Sequence, residues 1–193
     1  LQEKLGYLAE DNQYRRPIVY YVYHDRGFEL FDRHLYNKGN WVLHMLRHQL
    51  GQENFRRGLH EYLERYRTKQ VVTADLLRTL EEVTGHSLEQ FFQQWVHGGG
   101  HPELEVNYAW DAERKLAKLK IKQTQKVDNL TACFYTPLDI AFTVPVSDEA
   151  AHDEHTNQVQ TVAVQVQLGE DGQSEQTFYF PLEREPLMVR IDP

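Results

Sequence analysis

The stretch Leu88-Glu89-Gln90-Phe91-Phe92-Gln93-Gln94-Trp95-Val96-His97-Gly98-Gly99-Gly100-His101-Pro102-Glu103-Leu104-Glu105-Val106-Asn107-Tyr108 changes period in its middle. Before the glycines, Leu88, Phe91, Phe92 and Trp95 recur at spacings of three and four, which line one face of a helix. After Pro102, Leu104, Val106, Tyr108 and Trp110 alternate with other residues, which is the period of a strand with one buried face. Three consecutive glycines favour no regular structure, and a proline removes a backbone donor. The sequence therefore predicts an α+β chain: helices up to about residue 97, strands from about 102, and a break at Gly98–His101.

Toward the N-terminus the helical period continues. Leu35, Val42, Leu43, Leu46 and Leu50 form one stripe, Phe55, Leu59, Tyr62, Leu63 and Tyr66 a second, and Leu76, Leu77, Leu80 and Val83 a third. Turn chemistry separates them. Gly51 and Gly85 suit left-handed C-caps, Thr73 suits an N-cap with Asp75 in the first turn, and Ser87 with Gln90 has capping-box spacing. About four short helices are expected. In residues 1–33 the tyrosines 14, 20, 21 and 23 cluster around Arg15-Arg16-Pro17, which points to an irregular connection rather than a long helix.

Toward the C-terminus the alternation repeats. Leu119 and Ile121 lie between lysines 118, 120 and 122. Leu138, Ile140, Phe142, Val144 and Val146 follow, then Val162, Val164, Val166 and Leu168, then Phe178, Phe180 and Leu182, then Leu187, Val189 and Ile191. Six or seven strands with turn residues such as Asp171-Gly172 predict an antiparallel β-sandwich. The acidic stretch Ser147 to Gln158 reads as a polar loop. Expected boundaries are thus a helical domain over 1–100 and a β-sandwich domain over 101–193.

The charge of the chain follows the same division. Residues 1–97 hold 13 Lys/Arg against 13 Asp/Glu, whereas 98–193 hold 8 against 16 and carry the whole net charge of −8. Neither half has the basic footprint of a nucleic-acid binder. No apolar run approaches the ~20 residues that span a bilayer, so no membrane partner is expected. The single Cys133 forbids an internal disulfide and fits a reducing compartment, so a cytoplasmic location is expected. Beside Phe134, on an expected strand, it reads as a small core residue rather than a nucleophile.

Two histidine pairs invite a metal reading. His44-Met45-Leu46-Arg47-His48 has the i, i+4 spacing by which a helix offers two zinc ligands, but Met45 stands where a general-base glutamate is required. Both histidines lie mostly off the apolar stripe, so a solvent-facing pair is the preferred reading over a metal site. His152-Asp153-Glu154-His155 falls in the polar loop and is read the same way. No metal-binding residue is therefore assigned in this chain. There is no nucleophile elbow, no phosphate-binding glycine loop and no C-x-x-C pair.

Tyr36 stands apart, in the run Tyr36-Asn37-Lys38-Gly39 that opens the first stripe. The ordered set that follows, with Leu46, Gly51, Phe55, Gly58-Leu59, Tyr62, Asp75-Leu76, Leu88-x-x-Phe91-Phe92-x-x-Trp95 and the Gly-His-Pro before the strands, resembles the aminopeptidase N-like zinc metallopeptidases, as does Arg16-Pro17-Ile18 upstream. The likeness extends over almost the whole chain. It implies the C-terminal part of a catalytic domain and the following β-sandwich of a zinc aminopeptidase acting on peptide substrates, with Tyr36 as the residue that stabilises the tetrahedral oxyanion. A phenol, with an ordinary pKa of about 10, suits that task because it stays a neutral donor at pH 7. In such enzymes the zinc ligands and the water-activating glutamate belong to H-E-x-x-H and a later glutamate. None of these is present, so zinc is expected in a parent enzyme whose ligands lie outside this chain, and the chain alone is expected to be inactive. Leu1 in place of a methionine implies a chain that is processed, excised from something longer, or lacking a disordered start. The alternative is a non-catalytic relative that uses the same scaffold as a protein-binding module. In either case Gly39 is expected to allow close packing at the helix start and Lys38 to be structural.

Overall fold

Apolar periodicity is converted into buried surface differently on the two sides of the glycine run. The computed structural model describes residues 2–22, 30–146 and 159–193. Its contacts define two units: Leu1–Gly100 with Asp128–Ala132, and His101–Val127 with Cys133–Pro193. The short segment Asp128–Ala132 joins the helical unit because the Gly99 N–H donates to the Leu130 carbonyl at 2.7 Å. The proposed polar loop over 147–158, with His152 and His155, lies outside the described residues, as does Tyr23.

In the helical unit, α1 (Gln2–Asp11) precedes a π-helical turn (His34–Lys38) that runs directly into α2 (Gly39–Leu50). Helices α3 (Gln52–Arg65), α4 (Thr73–Thr84) and α5 (Glu89–Trp95) follow. Helix α1 is a correction to the irregular connection expected over residues 1–33. From Leu5 onward its buried positions are Tyr7 and Asp11, so a carboxylate interrupts the stripe that would have marked it. On α2 the buried residues are Val42, Leu46 and Leu50, while Leu43 is left exposed, so the stripe is narrower than its apolar content suggests. Gly58 lets α3 approach α4: a Cβ there would stand 2.6 Å from Cδ2 of Leu80, itself fully buried.

Capping departs from expectation in two places. The N-cap of α4 is Val72, whose N–H donates to Asp75 Oδ2 at 2.9 Å, with Thr73 the first helical residue. At α5 the Ser87–Gln90 box is replaced by a longer reach, in which the Leu88 N–H donates to Glu81 Oε1 at 2.7 Å. Gly85 ends α4 in the left-handed conformation, as expected, whereas Gly51 has φ 78° and ψ 155°, outside that well.

The second unit contains β1 (Leu104–Asp111), β2 (Leu116–Gln123), β3 (Thr136–Pro145), β4 (Val159–Leu168), β5 (Glu175–Pro181) and β6 (Met188–Ile191). They form two three-stranded antiparallel sheets, ordered β1-β2-β5 and β4-β3-β6. On β2 the alternation is strict: Ala117, Leu119 and Ile121 are buried and lysines 118, 120 and 122 are exposed. These side chains and Ile140, Phe142 and Val144 of β3 share one apolar core, in which the rings of Phe142 and Phe180, from different sheets, lie 5.1 Å apart. The α+β class and the antiparallel two-sheet arrangement are those the sequence predicts. Cys133, however, precedes β3 in irregular backbone and is only partly buried, so it is not the strand core residue expected.

Candidate catalytic tyrosine and its buried support

A π-helical turn holds one residue more than an α-helical turn, and its signature is an i to i−5 hydrogen bond. Here the Lys38 N–H donates to the Arg33 carbonyl at 3.0 Å, and the Tyr36 N–H donates to the Asp32 carbonyl at 3.1 Å. The turn displays Tyr36, whose side chain is 60% exposed and whose ring centroid lies 6.4 Å from that of Phe31. Gly39 is not needed for close packing, contrary to expectation, because a Cβ there would meet nothing within 4 Å. Lys38 is buried, and its Nζ donates to the Gly98 carbonyl at 2.9 Å. Burial pushes its ammonium down to about 8; Asp11 opposes the shift, and Arg15 and Arg16 add to it.

Beneath the turn lies a buried set of ionisable groups. Arg16 is almost completely enclosed. Its Nε and Nη2 donate to the two oxygens of Asp32 at 2.9 and 2.5 Å, and its remaining bonds go to the carbonyls of Pro17, Ile18 and Leu30. The planar guanidinium suits this, because it offers several fixed donors at once. Asp32 in turn accepts the N–H groups of His34 and Leu35 at 2.9 and 3.1 Å. Burial opposes ionisation of Asp32, but the Arg16 and Leu35 hydrogen bonds and the Arg16 charge outweigh it and hold the carboxyl below its ordinary range. The buried His34 places Nε2 3.2 Å from Asp11 Oδ1 and Nδ1 3.3 Å from Asp32 Oδ2. Asp11 also accepts from Arg15 Nε at 3.2 Å. Tyr7 packs edge-on against His34 and donates to the Gly100 carbonyl at 3.2 Å. Burial first, and then Asp11, push its phenol upward.

Of these residues the sequence pointed to Tyr36, to Lys38 as structural, and to Arg16 as part of an upstream resemblance. Asp11, Asp32 and His34 were missed. For Asp32 and His34 the signal was the density of charge in Phe31-Asp32-Arg33-His34, which periodicity cannot distinguish from a solvated turn.

The metal question can be put to this geometry. His44 and His48 are both exposed, and His44 Nδ1 lies 3.4 Å from Arg47 Nη2. Among the described residues, Glu10, Asp32 and His34 alone bring three potential ligand atoms together. That group does not fit a metal. Arg16 already neutralises Asp32 at hydrogen-bond distance, and both ring nitrogens of His34 are turned to carboxylates.

The helical unit thus presents Tyr36 on a π-helical turn, and the chain continues into an antiparallel two-sheet unit. Residues 6–95, just under half of the chain, match the Peptidase family M1 domain, so this helical stretch is similar to peptidase family M1. It is 31% identical over 112 residues to the probable aminopeptidase 1 of Sulfurisphaera tokodaii, covering 57% of this chain and 14% of that protein. It is 38% identical over 83 residues to aminopeptidase N of Lactococcus lactis (42% and 10% covered), and 35% identical over 83 residues to human glutamyl aminopeptidase (43% and 9% covered). The chain thus spans about a seventh or less of these relatives' lengths. A crystal structure of Legionella pneumophila aminopeptidase A in complex with aspartic acid superposes with a TM-score of 0.63 at 19% identity, covering 91% of this chain and 18% of that one, a likeness of fold.

Proposed function

We propose that this chain is part of a zinc-dependent aminopeptidase that removes N-terminal residues from peptides. Residues 1–100 are the helical C-terminal portion of its catalytic domain, and residues 101–193 are a β-sandwich domain that does no chemistry. The observation that carries the reading is Tyr36 itself: a phenol left 60% exposed on a π-helical turn, within the stretch that matches the peptidase family. Its support is a set of buried charges that packing alone does not require.

In this reading water adds to the scissile carbonyl, and the Tyr36 O–H donates a hydrogen bond to the oxyanion that forms. When the tetrahedral species collapses, the proton given up by the attacking water passes to the leaving nitrogen, the carbon–nitrogen bond breaks, and the hydrogen bond is released. A donor that strengthens only as charge develops lowers the barrier without tightening substrate binding. Zinc supplies the polarisation of water and carbonyl in such enzymes. We place its ligands outside the described residues, among which no group fits it. The proposed substrate is a peptide and the proposed location cytoplasmic; among the described residues no helix is long and apolar enough to cross a membrane.

The test is Tyr36→Phe in the intact parent enzyme, which removes one oxygen and keeps the ring. We expect kcat to fall ~10²–10³-fold, about 3–4 kcal/mol, with KM and metal content nearly unchanged. Turnover within about threefold of the parent, below ~0.7 kcal/mol, would remove Tyr36 from the mechanism.

A further inference from the structure

A side chain that is mostly in solvent cannot take its position from packing. Among the described residues Tyr36 has one aromatic ring neighbour, Phe31, and these residues leave most of its surface uncovered. The place of its hydroxyl is therefore inherited from the backbone of the turn, and the backbone has an identifiable anchor. Asp32 touches that turn twice. Its carbonyl accepts the Tyr36 N–H, and its carboxylate Oδ1 accepts the N–H groups of both His34 and Leu35. The carboxylate is itself fixed by two bonds from Arg16, which is held by three backbone carbonyls. At the far end of the turn Lys38 ties the chain to Gly98.

From this geometry, and resting on the reading of Tyr36 as the oxyanion donor, we propose that Asp32 is a positioning residue for catalysis, with Lys38 as the second clamp of the turn. Asp32 touches no substrate. It fixes the widened register of the π-helical turn and so the direction in which the Tyr36 ring leaves it. Relaxation of that register by one residue would swing the ring by roughly 100° about the helix axis, since an α-helix has 3.6 residues per turn. Even a displacement of about 1 Å from productive geometry can cost on the order of 10²-fold in rate. His34 and Asp11 complete the floor beneath the turn, but neither accepts or donates a bond at the Tyr36 backbone.

A double-mutant cycle in the intact parent enzyme separates positioning from general damage. The variants are Asp32→Asn, Tyr36→Phe and the double variant, each read for kcat, KM and melting temperature. Asparagine keeps the shape and one acceptor oxygen but loses the paired bonds from Arg16. We expect Asp32→Asn to lower kcat about 10–100-fold with KM within about threefold. In the Tyr36→Phe background the same change should cost less than about threefold, because no hydroxyl remains to be aimed. Equal losses in both backgrounds overturn the proposal, as does full activity of Asp32→Asn when Tyr36→Phe is impaired. Unimpaired turnover of Tyr36→Phe alone defeats the catalytic-tyrosine reading, and the positioning role with it. Should Asp32→Asn fail to fold, Lys38→Met keeps the buried stem and removes the ammonium together with its bond to Gly98. Taken through the same cycle, it is held to the same pattern of loss with Tyr36 and near-silence without it.

Discussion

The helical unit and the sandwich fill their interiors with different chemistry. Among the described residues of the sandwich, the enclosed ones are apolar apart from Gln123 and Gln125, whose amides bond each other and the backbone of Phe134. In the helical unit Asp11, Arg16, His34 and Lys38 are all buried. Taking charges out of water is costly even when they are paired, and an apolar replacement of similar shape is often as stable or more so. The difference fits the proposal that the interior beneath Tyr36 serves the geometry of a turn, whereas the sandwich interior serves cohesion.

Matched lesions, one in each unit, can break this contrast. Arg16→Met strips the buried guanidinium from Asp32 and leaves a carboxylate without its partner, which should cost ~3–5 kcal/mol of stability. Phe142→Ala opens a cavity in the fully buried sandwich core and should cost about the same, ~3–5 kcal/mol. Equal in stability, the two should differ in turnover. We expect kcat per folded molecule to drop with Arg16→Met and to stay within about twofold with Phe142→Ala. A sandwich lesion that lowers kcat as much as the Arg16 lesion would end the division of labour proposed here.

A smaller effect sharpens the same contrast through pH. Lys38 titrates near 8 in the fold and near its ordinary 10.5 when unfolded, so between these values the unfolded chain holds more protons. Stability contributed at this position therefore rises with pH across that window and is lowest below pH 8, where the buried ammonium carries its full cost, on the order of 3 kcal/mol. The free-energy difference between parent and Lys38→Met, measured by denaturant unfolding from pH 7 to 10, should move in the parent's favour as pH rises. A flat difference would mean that Lys38 is not desolvated as the fold places it.

Much of this was legible in the sequence because burial of one face leaves a period. The four helices from Gly39 to Trp95 and the six strands each carry it, and the strict lysine alternation on β2 fixes which face is inward. What stayed hidden has a physical cause. Helix α1 buries Asp11 where a periodic reading requires an apolar residue, and the π-helical turn breaks the 3.6-residue repeat just ahead of Tyr36. Long-range pairings such as His34 with Asp11, or Lys38 with the Gly98 carbonyl, leave no local mark. Leu43 shows the opposite error: it has the right spacing for the stripe and is nonetheless exposed. The tyrosine was found through an ordered set of motifs, and the groups that support it had no such set.

The central claim is that the Tyr36 hydroxyl meets charge present in the transition state and absent from the ground state. Its most direct test is the affinity of the parent enzyme and of Tyr36→Phe for a tetrahedral phosphinic peptide analogue, set beside the affinity for an ordinary peptide of the same side chains. The account predicts that the analogue weakens ~10²–10³-fold, in step with kcat/KM, while the ordinary peptide changes by less than about threefold. Equal affinity of the two proteins for the tetrahedral analogue would contradict it.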